Sequence, residues 1–451
     1  MLKTKSDNPN YLARIVRLPE TVIHPNADKL LLTTIQAQNI IVGKDVIPGQ
    51  LYILFQLETK INSEFLSYIN GFSDPELNRD KTKRGFFSRS SGRVKACKLR
   101  GILSEGYLHP LNDFNDWLKS KNIKYIVSDK DLDKDFDSVG DLLFVEKYIN
   151  QETLRKSNLA NKVKGGKVKR ESRLVEKQFR LSPDYRHLKR EINTINPDDF
   201  IDLTSKWHGA NCVISKILTK RKLSILDKLA KKLGIKILES EYSLVFSSRT
   251  LIKNEFADQQ SQGFYSHNIW EIVAHKYQDC LQDGVTAYGE LVGFTPSGAG
   301  VQSLKGKVFD YGCEPGKCDF IVFRLTYTSP AGNVYEFSLP QVIDYCQKVG
   351  LKHIPVYYIG KAKDKYPELD TQNHWHENFL NKLIEEYLEK DDIYCKTAGL
   401  PDEGIVLSKR IGGFEGLKLK SARFILGESE KLDSGEINIE DSESQNLLTD
   451  L

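Results

Sequence analysis

From Tyr11 to Leu18 apolar and polar side chains alternate, the period-two pattern of a strand with one buried face. Strand-like apolar runs recur over Leu30–Val42 and Leu51–Leu57, with turn chemistry at Pro25-Asn26, Pro48-Gly49 and Asn70-Gly71. Several short strands in about a hundred residues predict a small barrel or sandwich over residues 1–113. The period then changes. Ile225–Leu238 repeats apolar residues at helical spacing with basic residues between them. Phe379–Leu388 does the same, with Asn381, Lys382, Glu385 and Glu386 on its polar side. Phe200–Ser205, Leu244–Ser247 and the aromatic-rich Asp319–Tyr327 read as strands of a second globular unit over 176–427.

Charge refines this division more than its sum does. The 451 residues carry a net charge of +4, yet nine of the residues from Arg79 to Arg100 are basic and only Asp80 is acidic. Arg155–Arg173 holds eight basic residues against Glu171, and Lys162–Arg170 reads as a flexible basic stretch. Residues 114–175 are therefore expected to be a charged connector. Residues 428–451 hold eight acids against Lys431 and are expected to be an acidic, disordered tail. The basic stretches suit phosphate backbones, and in the first of them Phe86 and Phe87 add stacking surface. The chain shows no long uncharged apolar run, so no membrane association is expected. Its start, Met1-Leu2-Lys3-Thr4-Lys5, lacks a signal-peptide core, which makes the cytoplasm the expected compartment. Seven scattered cysteines outline no disulfide framework, and Cys313 with Cys318 alone makes a poor zinc site.

Candidate chemistry is concentrated in five short segments of the second unit. They are Lys206-Trp-His-Gly-Ala-Asn211, Ser247-Ser-Arg249, Tyr288-Gly-Glu290-Leu, Asp402-Glu403-Gly-Ile-Val and Lys418-Leu-Lys420. A Lys-x-x-Gly alone occurs by chance. In this order the segments provide a nucleophilic amine, an arginine, two carboxylates for ribose or metal, and two phosphate-binding lysines. Lys418 and Lys420 fall on one strand face because side chains alternate with period two. Such a set fits nucleotidyl transfer: an amine attacks the α-phosphorus of a nucleoside triphosphate, and cations neutralise the departing pyrophosphate.

The series resembles the covalent nucleotidyltransferase superfamily of DNA ligases, RNA ligases and mRNA capping enzymes. Lys206, His208, Gly209 and Asn211 make it similar to the RNA ligase 2 branch. DNA ligases and GTP-dependent capping enzymes usually carry Asp where this chain has His208, and remain the alternatives, with a non-catalytic RNA-binding protein built on a degenerate nucleotidyltransferase as a distant third. The His24–Leu30 segment resembles one in tRNA-binding OB folds. An OB-like module placed before the catalytic unit is similar to the Deinococcus-type RNA ligase. The resemblance implies an α+β fold, with a nucleotidyltransferase domain of antiparallel sheets and flanking helices behind the β-barrel module. It implies an ATP-dependent RNA ligase joining 3′-OH and 5′-phosphate ends through a lysyl-AMP on Lys206, with RNA or an RNA-containing nicked duplex as partner. Lys418 and Lys420 would serve catalysis. ATP would be bound by His208, Gly209, Asn211, Arg249, Glu290, Glu403 and an adenine-stacking aromatic, Phe323 or alternatively Phe320. Glu290 and Glu403 would hold Mg²⁺ or Mn²⁺. Only 31 residues (451 − 420) follow the last motif, so no C-terminal domain of the DNA ligase or capping kind is expected.

Overall fold

The computed structural model describes residues 1–88, 91–155, 173–253, 256, 268–410 and 413–436. The basic stretch Lys162–Arg170 and the tail from residue 437 onward lie outside the described residues.

The N-terminal strands form where the alternation places them. Strand β1 is Ala13–Arg17, β2 Leu30–Ile35, β3 Gln38–Gly43, β4 Leu51–Gln56 and β5 Gly106–Pro110. The single run Leu30–Val42 is broken into the β2–β3 hairpin because Gln36 and Ala37 adopt positive φ, the turn geometry a tight hairpin requires. β1, β4 and β5 pair antiparallel, and Asp135–Phe136 joins the β1 edge. β2 and β3 form a separate sheet with Val22–Ile23. The expected OB-like barrel is not seen: among the described residues the strands pair as several small sheets that close into no barrel. His24 is a buried structural residue here, its Nε2 3.2 Å from the Leu99 carbonyl oxygen.

The segment from residue 114 corrects the expectation of a connector. Helix α1, Leu111–Ser120, buries Phe114, Trp117 and Leu118, and these pack with Phe55, Phe65, Phe136 and Phe144 in the N-terminal core. The Phe136 and Phe144 rings stack with centroids 5.6 Å apart. Counting charges hid the i, i+3, i+4 apolar spacing that a core-facing helix needs.

The second unit has two antiparallel-rich sheets. In chain order its main elements are β6 Phe200–Lys206, β7 Ala210–Lys220, α2 Ile225–Lys232, β8 Ser240–Ser247, α3 Ile269–Tyr277, β9 Val285–Gly293, β10 Cys318–Thr328, α4 Leu339–Val349, β11 Val356–Lys361, α5 Trp375–Tyr387, β12 Gly404–Lys409, β13 Glu415–Lys420 and α6 Ala422–Asp433. One sheet runs Arg186–His187, β13, β12, β6, β11; the other centres on β8, β7, β9, β10. Apolar faces of α5 (Phe379, Leu383) cover the first, and α3 and α4 (Trp270, Val342) cover the second. β6 lies in one sheet and β7 in the other, so the turn Trp207-His208-Gly209 carries the chain between them. The predicted helix at 225–238 ends at Lys232 and leaves its apolar residues exposed.

Helix α6 corrects the expected disorder from residue 428. Glu428–Asp433 are helical, and Ser429 is buried against the N-terminal unit. The fully buried Arg93 side chain joins the two parts: its guanidinium lies 2.6 Å from Glu58 and 2.9 Å from Asp433, and it donates to the Ser429 carbonyl at 2.9 Å.

Candidate active site

Strand register builds the site before any side chain is considered. Lys206, Gly404 and Lys420 are direct partners across β6, β12 and β13, and Val406 and Lys418 pair two residues further along β12 and β13, the next position on the same face. Both sequence-predicted lysines of β13 therefore emerge on the face that carries Lys206, as period-two alternation requires. Gly209 has to be glycine: a Cβ there would stand 2.5 Å from the Leu291 carbonyl oxygen and 3.0 Å from Glu290 Cβ. This close approach seats the turn against β9.

Glu403, 1% exposed, is the hub. Its Oε1 lies 2.8 Å from Lys206 Nζ and 3.3 Å from Lys420 Nζ. Its Oε2 is buried without a hydrogen-bond partner, 3.8 Å from His208 Nδ1. Burial alone would lower the basicity of Lys420, but Glu428 and Glu403 outweigh it and raise it. Glu428, on α6, lies 2.6 Å from Lys420 Nζ. His208 sits edge-on between Phe309 and Phe424, with centroids 5.1 and 4.9 Å away. Burial holds its pKa well below the usual histidine value, so the imidazole is neutral at pH 7. The backbone beside it is fixed by a 2.7 Å hydrogen bond from the His208 N–H to the Tyr311 hydroxyl, and Tyr311 stacks on Trp207 at 4.2 Å.

A second charged group lies one step along β13. Lys418 donates to Asp184 at 2.8 Å, and Arg249 Nη1 is 3.5 Å from the same oxygen. Burial lowers the Lys418 pKa to about 8, and Lys420 adds to the effect while Asp184 opposes it. Burial would raise Asp184, yet Lys418 and Arg249 hold it well below the carboxylate range. Asn8 and Asn10 of the N-terminal unit each donate to Asp184 at 3.1 Å. Asp184 precedes the motif series and has no recognisable spacing to it, so the sequence offered no signal for it. Glu428 and His187, which pairs with Lys418 in register, were missed for the same reason.

Asn211 is partnered by Glu290 across β7 and β9, and donates weakly to Ser182 Oγ at 3.3 Å. Its Oδ1, like the hydroxyl of Tyr185, is buried without a partner. The two aromatic candidates on β10 separate cleanly. Phe320, 1% exposed, packs into the core behind the second sheet with Trp270 and Leu339. Phe323 is only partly buried and meets Tyr185 edge-on at 6.2 Å. A cluster of buried polar atoms without partners is one place where an ion, a water or a ligand completes the bonding. Within the candidate segments these are Trp207 Nε1, His208 Nε2, Asn211 Oδ1, Ser247 Oγ and Glu403 Oε2, with the Tyr185 hydroxyl close to Phe323.

A cavity of about 180 Å³ adjoins the lysines, lined by His208, Lys418, Lys420, Glu428 and Lys431 on one side and by Tyr11, Glu58, Lys147 and Tyr148 of the N-terminal unit on the other. Among the described residues no group of three or more His, Cys, Asp or Glu could hold a metal ion. No described helix is long and apolar enough to cross a membrane.

Residues 201–420, just under half of the chain, match the family model described as RNA ligase. No curated protein sequence matches the chain. Solved structures of the Naegleria gruberi RNA ligase share its fold. A lysine-to-methionine mutant with AMP and Mn superposes with a TM-score of 0.54 at 15% identity, covering 92% of this chain and 98% of that one. A lysine-to-alanine mutant with ATP and Mn gives 0.53 at 15% identity, covering 92% and 98%. An arginine-to-alanine mutant with ATP and Mn gives 0.54 at 16%, covering 94% and 99%.

Proposed function

We propose that this protein is an ATP-dependent RNA ligase that joins 3′-OH and 5′-phosphate ends through a lysyl-AMP on Lys206. The match of residues 201–420 to the RNA ligase family supports the enzyme class, and the fold shared with ligases solved with ATP or AMP and Mn supports use of ATP and a divalent cation. The observation that carries the mechanism is the carboxylate shared by Lys206 and Lys420 beside an unpaired buried oxygen.

In this reading adenine lies against Phe323, with Asn211 and Glu290 at the sugar. Lys418, Lys420 and Arg249 take the phosphates, Lys418 exchanging Asp184 for phosphate oxygens. The unpaired Glu403 Oε2 fits a divalent cation, which takes few protein carboxylates and keeps waters and phosphate oxygens. Glu290 is the second candidate ligand. Such a cation supplies charge neutralisation at the α-phosphate. As Glu403 turns from Lys206 the ammonium gives up a proton to water, and the neutral amine attacks the α-phosphorus. A P–N bond forms, the α–β P–O bond breaks, and pyrophosphate departs. The 5′-phosphate of one RNA end next displaces Lys206 from AMP, and the 3′-hydroxyl of the other end displaces AMP to form the phosphodiester. Nicks and breaks in structured RNA are the proposed substrates, with the N-terminal unit helping to hold them.

Incubation with α-labelled ATP and Mg²⁺ tests this. Wild type should acquire an acid-labile label that Lys206→Ala abolishes, and should seal a nick bearing an RNA 3′-hydroxyl. An undiminished label in the mutant overturns the reading; label from GTP instead points to capping.

A further inference from the structure

The stretch from Gly71 to Phe87 folds into a braced loop. The N–H of Gly85 donates to the Phe72 carbonyl at 2.8 Å, and that of Phe87 to the Gly71 carbonyl at 2.9 Å. Asn78, 1% exposed, donates to the carbonyls of both Phe72 and Lys83 at 2.8 Å and accepts from the Phe72 N–H at 3.0 Å. Gly85 runs so near Gly71 that a Cβ on it would meet the Gly71 carbonyl oxygen at 2.2 Å.

On this frame two consecutive phenylalanines take opposite fates. Phe87 is 2% exposed and belongs to the N-terminal core, so it is unavailable for the stacking expected of it from sequence. Phe86 is 67% exposed. Its ring rests on Phe87 at 4.4 Å and 30°, and is buttressed by Tyr107 at 5.2 Å and 75°. Lys83 and Arg84, both exposed, precede it in the chain by three and two residues, and among the described residues neither lies within salt-bridge distance of a carboxylate. A single exposed apolar residue needs no explanation on most surfaces. This one rests on Phe87 and Tyr107, keeps most of its surface in water, and follows two exposed cations in the chain, which is the composition of a single-strand nucleic-acid platform.

We propose that Phe86 is a base-stacking residue for an unpaired nucleotide of the RNA, with Lys83 and Arg84 taking the adjoining phosphates. The choice of RNA rests on the ligase reading above. Stacking is sequence-tolerant, because every base presents a π-face, so the platform holds the strand without selecting its sequence. It binds substrate and takes no part in lysine adenylylation.

The test is the affinity of the full chain for a labelled single-stranded RNA oligonucleotide, by fluorescence anisotropy without ATP, with lysine labelling from ATP measured on the same preparations. Phe86→Ala should weaken binding about 5- to 100-fold, and Phe86→Trp should restore it. The double variant Lys83→Ala/Arg84→Ala should weaken binding and flatten its salt dependence by about two counterions. Label transfer should stay at the wild-type level in all three. Wild-type binding by Phe86→Ala, or a Trp variant as weak as the Ala variant, overturns the proposal. Loss in the Lys83/Arg84 variant alone also overturns it, leaving a merely electrostatic patch. If wild type takes no label yet Phe86→Ala loses oligonucleotide, the ligase reading fails and the platform stands.

Discussion

The ammonium of Lys206 lies 2.8 Å from Oε1 of Glu403, while the other oxygen of that carboxylate is buried and unpaired. One residue thus holds the proposed nucleophile in place before substrate arrives and offers a donor atom to whatever displaces it. Glu403→Gln keeps the shape and removes the charge. Single-turnover lysine labelling should fall by about 10²- to 10³-fold, the usual loss when one preorganised electrostatic contact is removed, with the thermal midpoint little changed. Labelling within a few-fold of wild type would dismiss Glu403 from the chemistry.

Lys418 should impose a pH limit on nucleotide binding. Its pKa is lowered to about 8, so below that value it is a cation for phosphate, and above it the charge is lost. ATP affinity should decline above pH 8 in wild type and stay flat to about pH 9.5 in Lys418→Arg, since guanidinium does not deprotonate there. The same shift has the opposite consequence for folding. Between about 8 and the ordinary lysine value the unfolded chain holds more protons, so the Lys418 contribution to stability rises with pH.

Asp184 opposes that lowering. Asp184→Asn keeps an acceptor for Asn8 and Asn10 but removes the counter-charge, so the limb of the ATP-binding profile should move below pH 8. A profile that stays in place or moves upward would remove Asp184 from the phosphate site.

The two aromatics of β10 predict a split. Phe320→Ala empties a core position and should cost about 3–5 kcal/mol of stability, seen by denaturant titration. Phe323→Ala should leave stability nearly intact and raise the KM for ATP. The reverse pattern would exchange their roles.

Arg93 is the bolt between the N-terminal unit and α6. Burial pushes its partner Glu58 up to about 7 from 4.5, despite the opposing pull of Arg93. Arg93→Ala removes the cation and the hydrogen bonds it makes, so Glu58 stays neutral to higher pH, and the change should cost about 1–3 kcal/mol near pH 7.5. The folded state holds the extra proton, so the cost should shrink toward pH 5, where Glu58 is neutral. Equal losses at both pH values would argue against this pairing.

What the sequence determined by itself was the local chemistry. The motif series named Lys206, Glu403, Lys418 and Lys420, and period-two alternation put the last two on one face, because spacing along a strand is a covalent property. The alternating N-terminal runs became strands for the same reason. Only the tertiary structure decided which distant groups share the site: Asp184 on Lys418, Glu428 on Lys420, and Arg93 holding α6 against the N-terminal unit. It also placed α1 in the core rather than in a connector, made the start of the acidic tail a helix, and separated Phe320 from Phe323 and Phe87 from Phe86. Each of those outcomes depends on burial, and burial is set by which surfaces meet in space. Composition cannot report that, since a charged segment whose Phe114, Trp117 and Leu118 are well spaced still takes a place in a core.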